Sequence, residues 1–274
     1  MNQEYKSSGV EREGIAAKVA KAFGPLYERG SGYQFVTQNV PTYFATDLVI
    51  KHKKPEGYSQ NPLLAVDLGC GNGRDIALLA SCGFNVMPVD ASHEARKKAI
   101  SRLVGLGLAY RLRGPLERIE NVSNLPDDSI DLALGVSSHH YQGPDWLQKM
   151  LKIYSRKIKP EGNLGLALKT KNASWPSRFV EQGRQPDVTY DLSKIISSWD
   201  DEERDVSGFI VPDDQLLRLF YSERQLKAIF EASGFRVVHS ATVPLLDYDV
   251  AGDLQWFAWV IGTPRLGKLK KHEK

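Results

Sequence analysis

The sequence predicts an α/β protein, doubly wound around a mostly parallel sheet of seven strands, with a final antiparallel pair. Three observations predict it. Short apolar runs alternate with amphipathic helical patterns along most of the chain. The first run, Leu63-Leu64-Ala65-Val66, passes through Asp67 into a turn with Gly69, Gly71 and Gly73, and a helix follows at once. After the last helix come two strand-like runs joined by a loop, which read as a hairpin.

Each element has a local reason. Leu63 to Val66 is apolar at every position, as a strand buried on both faces must be. The glycines allow a tight turn and a close approach of backbone to ligand. Behind them Ile76, Leu79 and Ala80 share a helix face, which Gly83 ends. The free N–H groups at such a helix start suit a polar, nucleotide-like ligand. The second strand spans Phe84 to Val89 and ends at Asp90, about 20 residues beyond the glycine turn, where an acid can accept both ribose hydroxyls. The same acid can instead open the next helix, Glu94 to Val104. Pro88 is out of place in a central strand. The third strand is placed at Ala109–Arg113, and Gly114-Pro115-Leu116-Glu117 follows it. Leu125-Pro126-Asp127-Asp128-Ser129 is a turn into the fourth strand, Ile130 to Leu134.

Gly135 to Tyr141 follow that strand. Ligands of open α/β sheets bind beyond the carboxyl ends of the strands. That rule places Ser137 beside a cofactor and His139, His140 and Tyr141 beside the reacting group. A histidine there either takes a proton, its ordinary pKa lying near neutrality, or shapes the pocket. Asp145 starts a helix with Trp146, Leu147, Met150, Leu151, Tyr154 and Ile158 on one face; Lys159-Pro160-Glu161-Gly162 turns it into the fifth strand, Asn163 to Leu168. Residues 170–221 then break the alternation. They carry Trp175, Phe179, Tyr190, Trp199, Phe209 and the acidic run Asp200–Glu203. This is too long and aromatic for a plain loop, and reads as a substrate cover or an oligomer contact. Ser222-Glu223-Arg224-Gln225 is a capping box, and Leu226, Ile229 and Phe230 form the buried stripe behind it. The closing strands are Phe235 to Val243, broken by Pro244, and Gln255 to Ile261.

Composition is that of an ordinary globular protein: 274 residues, 42% hydrophobic, 25% charged, formal charge +3. No apolar run approaches the roughly 20 residues a membrane helix needs, and no signal-peptide core follows Met1. The two cysteines, Cys70 and Cys82, have no metal-ligand spacing and suit a reducing cytoplasm. No metal site is expected. Residues 1–60 hold a helical pattern over Ile15–Phe23 and several aromatics, and the α/β core is placed at 61–265. The tail 266–274 is basic.

The stretch Val66-Asp67-Leu68-Gly69-Cys70-Gly71-Asn72-Gly73 resembles motif I of the class I S-adenosylmethionine-dependent methyltransferases. Arg74 stands where a dinucleotide fingerprint has its third glycine. Residues 125–141 and the Lys-Pro-x-Gly turn resemble the same family. The resemblance implies a Rossmann-like sheet whose antiparallel last strand slots between its neighbours, with S-adenosyl-L-methionine as cofactor. It assigns Asp67, Gly69, Gly71, Asp90, Ala91 and Ser137 to that cofactor. For the adenine it assigns either Leu116 (backbone N–H) and Glu117, or Asn121 and Val122. It also implies a lid from residues 1–60 and a substrate cap from 170–221. The implied reaction is methyl transfer to oxygen or nitrogen of a small molecule. RNA or protein acceptors, a non-catalytic cofactor-binding subunit and an NAD-type oxidoreductase are the alternatives.

Overall fold

The computed structural model describes residues 63–171, 180–196, 203–210, 216–247 and 253–265. The expected lid over 1–60, Trp175, Phe179, Trp199 and the basic tail lie outside the described residues. The main sheet has six strands: β1 (Leu64–Leu68), β2 (Asn85–Val89), β3 (Ile130–Val136), β4 (Ile158–Lys169), β8 (Phe235–Asp247) and β9 (Asp253–Pro264). Their order is β2-β1-β3-β4-β9-β8. The first four run parallel, and β9 lies antiparallel between β4 and β8, as the resemblance implied. A second sheet, β5 (Val188–Asp191), β6 (Asp205–Ile210) and β7 (Leu217–Phe220), is antiparallel and built wholly from the insertion.

Among the described residues, four helices are seen over their full length: α1 (Arg74–Ser81), α2 (His93–Gly105), α3 (Pro144–Lys157) and α4 (Glu223–Ala232). None of the described helices is long and apolar enough to cross a membrane. α3 buries Trp146, Leu147, Met150, Leu151 and Tyr154, the stripe its periodicity predicts, at roughly 1.5–3 kcal/mol per large side chain. Ile158 instead begins β4. The residues after it bulge out, so that pairing with β3 passes from Ile130–Ile158 to Leu132–Asn163. The capping box forms: Ser222 Oγ accepts from Gln225 N, and Gln225 Oε1 accepts from Ser222 N.

Two further expectations are corrected, and Pro88 is explained. The third strand, placed at Ala109–Arg113, is a 3₁₀ turn at Ala109–Arg111 and then two isolated parallel bridges, Val86–Leu112 and Val89–Leu116. The chain still lies against β2, where a seventh strand would. Gly114, at φ 83°, and Pro115, which has no N–H, interrupt the ladder between the bridges. The same edge explains Pro88. The carbonyls of Val86 and Pro88 both point to this interrupted side, accepting from Arg113 N and Leu116 N. The missing N–H of Pro88 therefore costs no bond to β1. Pro244, finally, does not end its strand: β8 continues to Asp247, because it is the sheet's edge, where proline is tolerated.

Candidate active site

The turns after β1, β2 and β3 meet at one end of the sheet. Gly69 N and Cys70 N both donate to Val89 O, at 2.7 and 2.9 Å. Gly71 N donates to Asp90 Oδ2 at 3.0 Å, and Ser92 N donates to Asp90 Oδ1 at 2.8 Å. Ala91 sits between those two partners, and Ser92 Oγ caps α2 by accepting from Ala95 N. A Cβ on Gly69 would lie 2.5 Å from Ser138 Cβ, so the first and third turns touch through a glycine. Ser137 begins that third turn with φ 55°, a strained angle for a serine, while its N–H holds Ala167 O at 2.8 Å. The structure thus brings together Asp67, Gly69, Gly71, Asp90, Ala91 and Ser137.

The site's electrostatics are acidic. Asp67 is 3% exposed, and Oδ2 has no hydrogen-bond partner. Burial pushes its carboxyl well up, Asp75 and Asp90 add to this, and Arg74 and the donating Ile76 N–H oppose it. Asp90 is also raised by burial, against the pull of its two backbone donors and Arg96. The Ile76 bond is informative. Gly73, which opens α1, offers no side-chain cap. The first-turn N–H at Ile76 is met instead by a carboxylate from the strand below. The place where a dinucleotide site holds a phosphate is thus served by an internal carboxyl group.

The residues of the two adenine registers have these surroundings. Leu116 N is bonded to Pro88 O at 2.9 Å and Leu116 O accepts from Asp90 N at 3.3 Å, so this backbone is used up in the sheet edge. Glu117 is 80% exposed and only approaches Arg96, at 3.9 Å. Asn121 closes its own 3₁₀ turn by accepting from Arg118 N at 3.0 Å, and Val122 is fully buried.

The two histidines have unlike surroundings. His139 is fully buried; its Nδ1 meets Ser138 Oγ at 2.8 Å and its Nε2 meets Tyr154 Oη at 2.9 Å. Burial lowers its pKa to about 3, so the ring is neutral. Gly135 makes room for it, since a Cβ there would lie 2.8 Å from His139 Cε1. With both ring nitrogens engaged, His139 joins β3 to α3. His140 is 2% exposed, but its Nδ1 has no partner. Burial lowers its pKa well below the usual value, with Lys169, Arg218 and His139 acting in the same direction. The insertion lies directly over it: Leu219 N donates to His140 O at 2.8 Å, and Tyr221 N donates to Lys169 O at 3.2 Å. Sequence reasoning missed Ser138, Tyr154 and Arg218. Only the unusual glycine at Gly135 hinted that a ring lies across β3. Among the described residues no cluster of His, Cys, Asp and Glu could hold a metal ion.

Residues 65–162 match the family model of a methyltransferase domain. No curated protein matches the sequence. Solved structures do match in fold. The 1,6-didemethyltoxoflavin-N1-methyltransferase of Burkholderia thailandensis, with its substrate and S-adenosylhomocysteine bound, is 18% identical over 96% of this chain and 93% of its own, with TM-score 0.60. A methyltransferase from Anabaena variabilis is 13% identical over 92% and 95%, with TM-score 0.61. The magnesium protoporphyrin IX methyltransferase of Synechocystis, with S-adenosylhomocysteine bound, is 14% identical over 91% and 99%, with TM-score 0.59. Motif, strand order and family match agree: the chain carries a domain of the class I, S-adenosylmethionine-dependent methyltransferase fold.

Proposed function

We propose that the protein transfers a methyl group from S-adenosyl-L-methionine to oxygen or nitrogen of a small molecule. The observation that carries the cofactor reading is the acidic glycine turn. Asp67, unpaired at Oδ2, and Asp90 flank a backbone cradle whose helix N-terminus is already met by Asp67. With that N–H already engaged by Asp67, the site suits a neutral nucleoside with a cationic sulfur and an ammonium group better than a pyrophosphate. The residues present fit that group, and an NAD-type dinucleotide fits them poorly.

Gly69 and Gly71 let backbone lie against the methionine part. Asp90 is held at both oxygens by backbone donors, yet each oxygen keeps a second acceptor site for a ribose hydroxyl. Asp67 holds the turn in place, and its spare oxygen serves an ammonium group. When bound, the cofactor supplies a methyl already activated for displacement, so the protein's task is to orient the acceptor and exclude water. Positioning of this kind lowers a barrier by up to roughly 7–11 kcal/mol. His140 and Tyr141 lie at the acceptor's end of the site, and the small sheet β5–β7 covers it. A small acceptor is supported by this cover, whose Phe209 and Phe220 are buried. It is supported too by the similar methyltransferase that acts on 1,6-didemethyltoxoflavin.

Calorimetric titration of the full chain tests the cofactor. Micromolar binding of S-adenosylmethionine or S-adenosylhomocysteine, with none of NADH, is expected. An intact fold that binds neither sulfur compound would sink the reading.

A further inference from the structure

The small sheet of the insertion has two unlike faces. Tyr190, Val206, Leu217 and Leu219 pack into the main core. Phe209 pairs across strands with Arg218, and Ser207 with Phe220, so these four side chains share the opposite face. That face is not a solvent face. Phe209 and Phe220 are 3% and 4% exposed, and their rings meet edge-on at 6.2 Å. Guanidinium groups enter among the rings. Arg218 lies 5.8 Å over the ring of Tyr141, and Arg184 lies 5.8 Å over that of Phe209. Tyr141 in turn stands 4.2 Å from His140, whose buried Nδ1 has no partner.

A buried polar atom left without a partner costs about 1–3 kcal/mol, a cost a bound ligand can remove. The surrounding groups define that ligand's chemistry. Aromatic rings suit a flat, conjugated molecule, and Arg218 and Lys169 suit a negative one. The state of His140 narrows this further. Burial and the two nearby cations keep its ring neutral and weakly basic. Such a ring is a poor acceptor for a proton from an ordinary hydroxyl. It remains a good neutral hydrogen-bond partner for a group that is already ionised.

Resting on the methyltransferase reading, we propose that the acceptor binds as a planar aromatic anion, its charge met by Arg218 and Lys169 and its polar edge by Nδ1 of His140. The acceptor class is therefore an aromatic acid or an acidic heterocycle, and His140 contacts it rather than deprotonating it.

The test titrates the full chain, saturated with S-adenosylhomocysteine, with matched probes: 4-hydroxybenzoate against 4-hydroxybenzamide, and 2-naphthoate against 2-naphthamide. Each anion should bind at least about tenfold more tightly than its amide. Arg218→Gln should cut that preference severalfold, and Arg218→Lys should keep more of it. Affinity for S-adenosylhomocysteine should stay the same in all three proteins. Equal binding within each pair, no binding of any probe, or an undiminished preference in Arg218→Gln would overturn the proposal. Failure of wild type to bind S-adenosylhomocysteine is a different result: it removes the cofactor reading, and this proposal with it.

Discussion

Single residues carry the sharpest expectations. Asp90→Ala should weaken S-adenosylhomocysteine at least tenfold, about 1.4 kcal/mol, as read by calorimetry. Asp90→Asn should also weaken it, because its amide would set an N–H₂ against one of the two backbone donors, Gly71 N or Ser92 N. Unchanged affinity in Asp90→Ala would remove the ribose assignment. His139 makes a stability prediction. Its ring stays neutral in the folded protein until about pH 3, whereas an unfolded histidine takes a proton near pH 6.5. Its contribution is therefore complete above about pH 6.5. It is lost as pH falls through that window, at about 1.4 kcal/mol per pH unit. His140 acts in the same sense. Urea unfolding at about pH 7 and about pH 5 should thus show a pH-dependent loss in wild type that is smaller in His139→Gln. Comparing the two slopes separates His139 from Asp67 and Asp90, whose raised values act oppositely. At this scale the sequence was readable where one residue's chemistry decides its role. Asp67, Gly71 and Asp90 sit together as their types and spacing imply. It was unreadable where partners are distant in the chain: nothing local tells that Tyr154 takes up His139, or that Leu116 spends its N–H on Pro88.

Elements were legible where their periodicity was strong. α3 and α4 bury the stripes their sequences show, and the capping box at Ser222 forms. The edge beyond β2 was misread because a short stretch between glycine breaks, Ala109–Arg113, suggests a strand without telling whether a ladder can continue. Gly114 and Pro115 interrupt it between two isolated bridges. Hydrogen exchange should therefore protect Arg113 and Leu116 amides far less than the amides of the central strands β1 and β3. Glycines offer a second check on element packing. Gly73 has φ 79°, and a Cβ there would lie 2.4 Å from the Cα of Ala99 on α2. Gly83 has φ 94° but nothing within 4 Å of such a Cβ. Gly73→Ala and Gly83→Ala share the backbone strain of about 1–2 kcal/mol, and only the first must push two helices apart. Thermal unfolding should show a clearly larger loss in Gly73→Ala, and equal losses would mean that α1 and α2 yield easily.

At the scale of the whole molecule, ligand binding and folding are one equilibrium. S-adenosylhomocysteine at about 100 times its Kd should stabilise the protein by about 2.7 kcal/mol. A domain of this size should then melt roughly 5–10 °C higher, and an unmoved midpoint would contradict binding to the native state. The insertion was visible as an interruption of the alternation, and its sheet was not, because its short strands carry no long period. Its attachment has a wider consequence. The excursion leaves the main sheet at Thr170, whose N–H donates to Trp256 O at 2.8 Å, and returns at Tyr221, hydrogen-bonded to Lys169. Gln225 Nε2 then fastens the far side, donating to Glu203 O and Asp205 O at 2.6 and 2.9 Å. Departure and return are thus adjacent, and the entropy of closing such a loop grows only with the logarithm of its length. Evolution can lengthen, shorten or replace what lies between these two anchors while the cofactor half stays as it is. Under the proposed function these residues would set the acceptor, and exchange of residues 170–221 between such proteins should then move acceptor choice with them.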